Sequence, residues 1–168
     1  MDRPLAAGRA IRARVALVLA LGVLSFSARG AEIAGQVVRV ADGDTLTVRV
    51  HDHNVRVRLV EIDAPETRQA YGRRAGQSLT DICLNKSARI VTSGEDRYHR
   101  LLGRVYCAGV DANAEQVRRG MAWVYDRYAT DASLYGVQND ARGARRGLWA
   151  DPRPIAPWTW RAALKSKN

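Results

Sequence analysis

From Ile33 to Ile62 the chain alternates. Leu46, Val48 and Val50 interleave with Thr45, Thr47 and Arg49, and Val55, Val57 and Leu59 interleave with Arg56, Arg58 and Val60. A period of two rich in β-branched residues predicts strands with one face turned inward. The polar run His51-Asp52-His53-Asn54 reads as the turn between two of them. Pro65 cannot donate to a sheet ladder and ends the run.

Beyond Pro65 the period changes. Between Tyr71 and Leu84, the residues Ala75, Leu79, Ile82 and Cys83 fall at i, i+4, i+7 and i+8, one stripe of a helix. Residues 88–92 and 101–107 return to strand. Residues 111–119 and 133–146 read as helices stopped by Gly120 and Gly147. The order is three strands, a helix, two strands and two helices. The expected fold is therefore α+β dominated by β: a five-stranded barrel with about three packed helices. Small, partly open barrels of this kind often bind oligonucleotides. Residues 151–168 carry Pro152, Pro154 and Pro157 beside Trp158 and Trp160. They read as an extended tail strapped onto the domain, with a loose basic end.

The N-terminus has the grammar of an export signal. Arg3, Arg9, Arg12 and Arg14 precede an apolar run from Val15 to Phe26, shorter than the about 20 residues a membrane helix needs. Small residues follow, among them Ser25, Ser27, Ala28, Gly30 and Ala31. Residues 1–30 are expected to be removed. That leaves a domain over 31–150 and the tail over 151–168, secreted or periplasmic, with no stable membrane span. An uncleaved anchor is the other reading.

The whole chain carries a formal charge of +10. Residues 1–30 hold five Arg and one Asp, so four of those charges leave with the leader and the remainder carries +6. A basic surface suits a polyanionic partner. Charge alone does not separate nucleic acid from an anionic membrane. The two cysteines, Cys83 and Cys107, show no CxxC spacing and are too few for a zinc site. Export makes a disulfide between them chemically possible. Two separate buried thiols are equally open.

Three clusters carry chemistry. In Asp42-Gly43-Asp44-Thr45, extended backbone aims the two carboxylates at one point, and a hard divalent cation with oxygen ligands relieves their repulsion. In Arg58-Leu59-Val60-Glu61-Ile62-Asp63-Ala64-Pro65-Glu66-Thr67, Asp63 and Glu66 flank the strand break and Arg58 precedes it. A phosphodiester cleaver needs a cation on the phosphate, a group that activates water, and stabilisation of the charge that builds up. Asp63 can ligate a metal, Glu66 can activate water, and Arg58 can clamp a phosphate. In Asp96-Arg97-Tyr98-His99-Arg100, Arg100 supplies a second cation and Tyr98 a stacking face. Singly, each cluster also reads as a polar turn, a strand end with surface ion pairs, or a basic hairpin turn.

Together, with Tyr71-Gly72, Asn113 through Gly120, and Gly147-Leu148-Trp149, these clusters resemble the staphylococcal nuclease, or thermonuclease-like, family over roughly residues 35–150. The resemblance implies an OB-fold and Ca²⁺-dependent endonuclease activity on DNA and/or RNA. It implies one Ca²⁺ per chain, with Mg²⁺ or another divalent ion the lesser alternative. By motif position Asp44 and Asp63 ligate the metal with the Ala64 carbonyl, and Asp42 stands nearby. Glu66 is the implied base for water. Arg58 and Arg100 hold the phosphate, and Tyr98 and Tyr128 are implied substrate contacts. A monomer with no obligate protein partner is expected.

The chain departs from the family in two places. The loop after Glu66 holds only Thr67, Arg68, Gln69 and Ala70 before Tyr71, where the prototype has a longer lysine-rich loop. His99 stands where the family usually has glycine. His51 and His53 lack a third ligand nearby, and the four tryptophans read as core and tail anchors rather than base-stacking platforms. The alternative function is a non-catalytic nucleic-acid-binding or interaction module on the same fold. Such a module would be expected to lack several of Asp44, Arg58, Asp63, Glu66 and Arg100, and this chain lacks none.

Overall fold

The computed structural model describes residues 31–166, so the expected export segment and the last two tail residues lie outside it. Strands β1 (Glu32–Val40), β2 (Thr45–Val50) and β3 (His53–Leu59) form an antiparallel meander. β4 (Ile62–Asp63) follows, then helix α1 (Gly72–Cys83), β5 (Ser87–Glu95) and β6 (Leu101–Cys107). β5 pairs with β1 and with β6. β6 then runs parallel to β3, matching Val57 with Leu101, Arg58 with Leu102 and Leu59 with Gly103. That pairing closes a five-stranded barrel and covers its strand edges.

The period-two pattern fills the barrel. Val37, Leu46, Val48, Val57, Leu59, Ile90 and Val105 are buried inside it, while Arg56 and Arg58 alternate to the other face. The β2–β3 turn is tighter than expected. Val50 pairs with His53, leaving a two-residue turn in which His51 takes a left-handed φ of 51°. His53 and Asn54 therefore belong to the strand.

After β6 come β7 (Val110–Asp111), α2 (Ala112–Arg118), β8 (Trp123–Val124) and α3 (Ser133–Gly143). Asp111 caps α2 by accepting from the Ala114 N–H. α3 ends at Gly143, before the expected Arg146, and a 3₁₀ turn over Gly147–Ala150 buries Leu148 and Trp149. Cys83 and Cys107 are disulfide-bonded, joining the last residue of α1 to the last residue of β6. Closing a loop of this length stabilises the fold by about 3 kcal/mol.

The tail corrects one expectation. It is not extended throughout, because Pro157–Lys165 forms a helix, α4. Pro157 stands at the first helical positions, where its missing N–H costs nothing and its fixed φ suits the helix. Ala162, Ala163, Leu164 and Lys165 are good helix formers behind it. Trp158 stacks flat on Tyr125 at 5.1 Å and meets Trp123 edge-on at 5.7 Å. Trp123 in turn packs against Trp149 at 4.4 Å. These three tryptophans anchor the tail as expected. Among the described residues no helix is long and apolar enough to cross a membrane.

Candidate active site

The carboxylates converge because β2 begins where β3 ends. Thr45 pairs with Arg58, and the Leu59 N–H donates to the Asp44 carbonyl at 2.8 Å. Val57 and Leu59 point into the core, so Arg58 stands outside the barrel beside Asp44. One Arg58 nitrogen, Nη1, lies 2.9 Å from Asp44 Oδ2, and the other, Nη2, lies 2.9 Å from Asp63 Oδ1. A single guanidinium therefore holds both carboxylates expected to ligate the metal directly. Asp63 is placed by β4, whose partner strand matches it with Trp123.

Two close approaches build the floor of this site. A side chain on Gly43 would meet the β-carbons of Ala64 and Ala75, each at 2.6 Å. Only glycine lets the Asp42–Asp44 turn lie against both Ala64 and α1. Buried Gln116 locks that arrangement by donating to the Gly43 carbonyl at 2.6 Å and the Ala75 carbonyl at 3.1 Å. Gly72 does the same for the Glu66 loop, since a β-carbon there would sit 1.9 Å from the Glu66 carbonyl oxygen. The Gly72→Ala variant is expected to be less stable by about 1–3 kcal/mol, because backbone must move to admit the methyl. Thermal unfolding would read this, and an unchanged midpoint would contradict it.

Arg100 immediately precedes β6, beside the end of β3. Its Nε and Nη2 bind Asp96 Oδ2 at 2.8 and 2.7 Å. Its Nη1 donates to Thr45 Oγ1 at 3.4 Å, and that hydroxyl donates to Asp44 Oδ1 at 3.2 Å. Arg100 thus reaches the carboxylate cluster through Thr45. Tyr98 lies alongside, its ring centre 5.6 Å from the Arg100 guanidinium carbon. His99, at the family's glycine position, has a left-handed φ of 57°. That backbone explains the glycine preference. The exposed His99 ring contacts Glu95 at 2.8 Å.

Asp42 is turned into its own loop, where its Oδ1 accepts from the Asp44 N–H at 3.1 Å. Tyr128 is exposed and packs edge-on against Tyr125 at 5.0 Å, along the aromatic row that holds α4. The structure therefore gathers Asp44, Arg58, Asp63, Glu66 and Arg100. Asp42 and Tyr98 stand beside them through Asp44 and Arg100, whereas the contacts of Tyr128 are with Tyr125 and Arg127. His51 and His53 are exposed in the β2–β3 turn and strand.

Several organising residues carried no sequence signal of their own. Buried Asn113 donates to the Val60 carbonyl at 2.7 Å and accepts from the Val105 N–H, tying the turn before β4 to β6. Glu61 accepts from the Thr130 N–H and hydroxyl and from the Asp131 N–H. Burial raises its pKa, but these hydrogen bonds and Arg104 more than offset that and hold it below the usual value. Arg161, in a tail that resembles exported members of the family, is not among the expected site residues. It reaches from α4 to Asp63 and Glu66. The spacing of Trp158 and Arg161 behind a helix-starting Pro157 was the available clue.

The donor set suits a hard cation. Among the described residues no three His, Cys, Asp or Glu side chains form a metal-binding group. The side chains a cation would draw on are the Asp44 and Asp63 carboxylates that Arg58 bridges, to be completed by carbonyl oxygens and water. Burial pushes the Asp44 carboxyl up to about 7, with Asp42 and Asp63 adding to the rise and Arg58 and the Ala64 N–H opposing it. A divalent cation would reverse that and favour the ionised pair.

Comparison with known proteins names the family. A model described as staphylococcal nuclease homologue matches residues 56–151. The chain belongs to this family. The matched span holds Arg58, Asp63, Glu66 and Arg100. An uncharacterized endonuclease of Escherichia coli O157:H7 is 45% identical over 144 residues, 85% of this chain and 94% of its own. A micrococcal nuclease of Shigella flexneri is 41% identical over 177 residues, 99% of this chain and 98% of its own. An uncharacterized endonuclease of Haemophilus influenzae is 41% identical over 150 residues, 89% of this chain and 84% of its own. The closed barrel is the OB-fold of the staphylococcal nuclease homologues, and membership makes the chain a nuclease, a hydrolase acting on nucleic acid.

Proposed function

We propose that the chain is an exported, Ca²⁺-dependent endonuclease that hydrolyses phosphodiester bonds in DNA and/or RNA. The observation that carries this is the Arg58 guanidinium seated between Asp44 and Asp63, with Glu66 and Arg100 at the same cluster. Asp44, Asp63 and the Ala64 carbonyl would hold the cation, and Asp42 would act at its edge through water. When bound, the metal polarises the phosphate and offsets its charge. Arg58 and Arg100 bind the non-bridging phosphate oxygens and meet the charge that grows at five-coordinate phosphorus. Glu66 accepts a proton from the attacking water, whose oxygen bonds to phosphorus as the bond to the leaving oxygen breaks. Tyr98 and Tyr128 offer exposed rings to flanking nucleotides.

The short loop after Glu66 is compensated by arginine. An open pocket of about 470 Å³ beside it is lined by Arg68, Arg73 and Arg74. These would take phosphates next to the one cut. Charge reversal at Arg73 and Arg74 is expected to raise KM at low salt and flatten the salt dependence of binding by about one counterion per lost contact. A steady-state salt series on a labelled oligonucleotide checks this, and an unchanged slope removes both arginines from the substrate path.

The Cys83–Cys107 bond supports export, since such bonds persist in oxidising compartments. N-terminal sequencing of protein recovered from periplasm and medium tests the leader. The functional test is a Ca²⁺ titration of cleavage on single- and double-stranded DNA and RNA. Saturable cleavage that stops with a chelator is expected. Full activity in chelator would overturn the metal assignment, and binding without cleavage would favour the non-catalytic alternative.

A further inference from the structure

The roles above leave Arg161 unused, although it touches two of their principals. Its Nη2 lies 2.7 Å from Asp63 Oδ2. Its Nη1 lies 3.2 Å from Asp63 Oδ1 and 2.8 Å from Glu66 Oε1. We propose that Arg161 is a positioning residue for the nuclease reaction, a third active-site arginine delivered by α4 that fixes the Glu66 carboxylate against Asp63. This rests on the reading of Glu66 as the base.

Three observations carry the proposal. First, the Glu66 side chain is 44% exposed and follows Pro65 in a short loop. Among the described residues Arg161 is its sole side-chain partner. An exposed glutamate otherwise samples several rotamers, and a charge-assisted bond to a fixed cation selects one. Asp63 differs, being nearly fully buried and also held by Arg58. Second, α4 is itself immobilised. Trp158, one turn before Arg161, stacks flat on Tyr125. Third, Gln69 couples the tail to the same loop. Its Nε2 donates to the Ile155 carbonyl at 2.6 Å, and its Oε1 accepts from the Glu66 N–H at 3.2 Å. Backbone and side chain of Glu66 are thus both referenced to the tail.

A residue acting this way governs turnover more than substrate affinity. The test compares the full mature protein with the Arg161→Gln, Arg161→Lys, Glu66→Gln and doubly substituted Glu66→Gln/Arg161→Gln variants. Arg161→Gln is expected to lower kcat by about 10- to 100-fold with KM little changed, the scale of a misplaced catalytic group. Arg161→Lys should recover part of that loss. In the Glu66→Gln background, Arg161→Gln should cost less than about threefold more, since the group it positions is gone. Calorimetry with Ca²⁺ alone should show affinity undiminished, and near-ultraviolet circular dichroism should show α4 still docked through Trp158.

Undiminished or raised kcat in Arg161→Gln overturns the proposal and makes α4 a block on the site. Equal losses in both backgrounds also overturn it, as does lost Ca²⁺ affinity with an undocked helix, which would mark a scaffold role. Undiminished kcat in Glu66→Gln overturns the base assignment itself, and this proposal with it.

Discussion

Glu66→Gln is expected to lower kcat by about 10²- to 10⁴-fold while the protein stays folded. The substitution keeps the size of the side chain and removes its capacity to take a proton. The fold should not notice, because Glu66 lies in a surface loop whose shape is set by backbone contacts. The Gln69 N–H donates to the Glu66 carbonyl at 2.7 Å, and the Gly72 N–H to the Gln69 carbonyl at 3.0 Å. KM and Ca²⁺ affinity should move little, since Asp44 and Asp63 carry the ligation in this reading. Single-turnover cleavage with saturating Ca²⁺ is the measurement. Turnover at the parental rate would remove Glu66 from proton transfer.

Arg58→Ala should damage both stability and rate. Its side chain is 14% exposed and those of Asp44 and Asp63 are 9% and 1%. Removing the cation leaves two buried carboxylates facing each other, and breaking such a pair costs about 3–5 kcal/mol. Arg161 still covers Asp63 and softens the loss, whereas among the described residues Asp44 keeps the Ala64 N–H and the Thr45 hydroxyl. Ca²⁺ should therefore raise the unfolding temperature of Arg58→Ala more than that of the parent, because it replaces the missing charge. The rate should remain about 10²- to 10³-fold down even with Ca²⁺ bound, for want of a donor to the phosphate. Equal thermal stability of the two proteins in chelator would contradict this account.

The legible parts of the molecule were those set by local pattern. Alternation from Ile33 to Ile62 names the inward residues of the first three strands, and Ala75, Leu79, Ile82 and Cys83 name the buried face of α1. Asp44, Arg58, Asp63, Glu66 and Arg100 stand together because each is tied to a strand end or break that the sequence announces. Closure of the barrel was less visible, since the β3–β6 pairing joins segments far apart in the chain and leaves no periodic trace. Asn113 and Gln116 fall within a stretch shared with the family, but their contacts were hidden for a related reason. A buried amide is chosen by the orphan carbonyls it meets, here those of Val60 and Gly43, and these belong to distant turns. The tail departs from the extended form its prolines suggest because Pro157 opens a helix.

The parallel pairing of β3 with β6 has a consequence for how the enzyme fails. Arg58 lies within that pairing and Arg100 directly precedes it. Separating the two strands would open the barrel and part the arginines in one event. A locally opened form would lose the spacing of the proposed phosphate clamp, so activity should vanish along the same denaturant curve as the slowest-exchanging amides of β3 and β6. In this nuclease the seam that closes the fold also sets the spacing of Arg58 and Arg100.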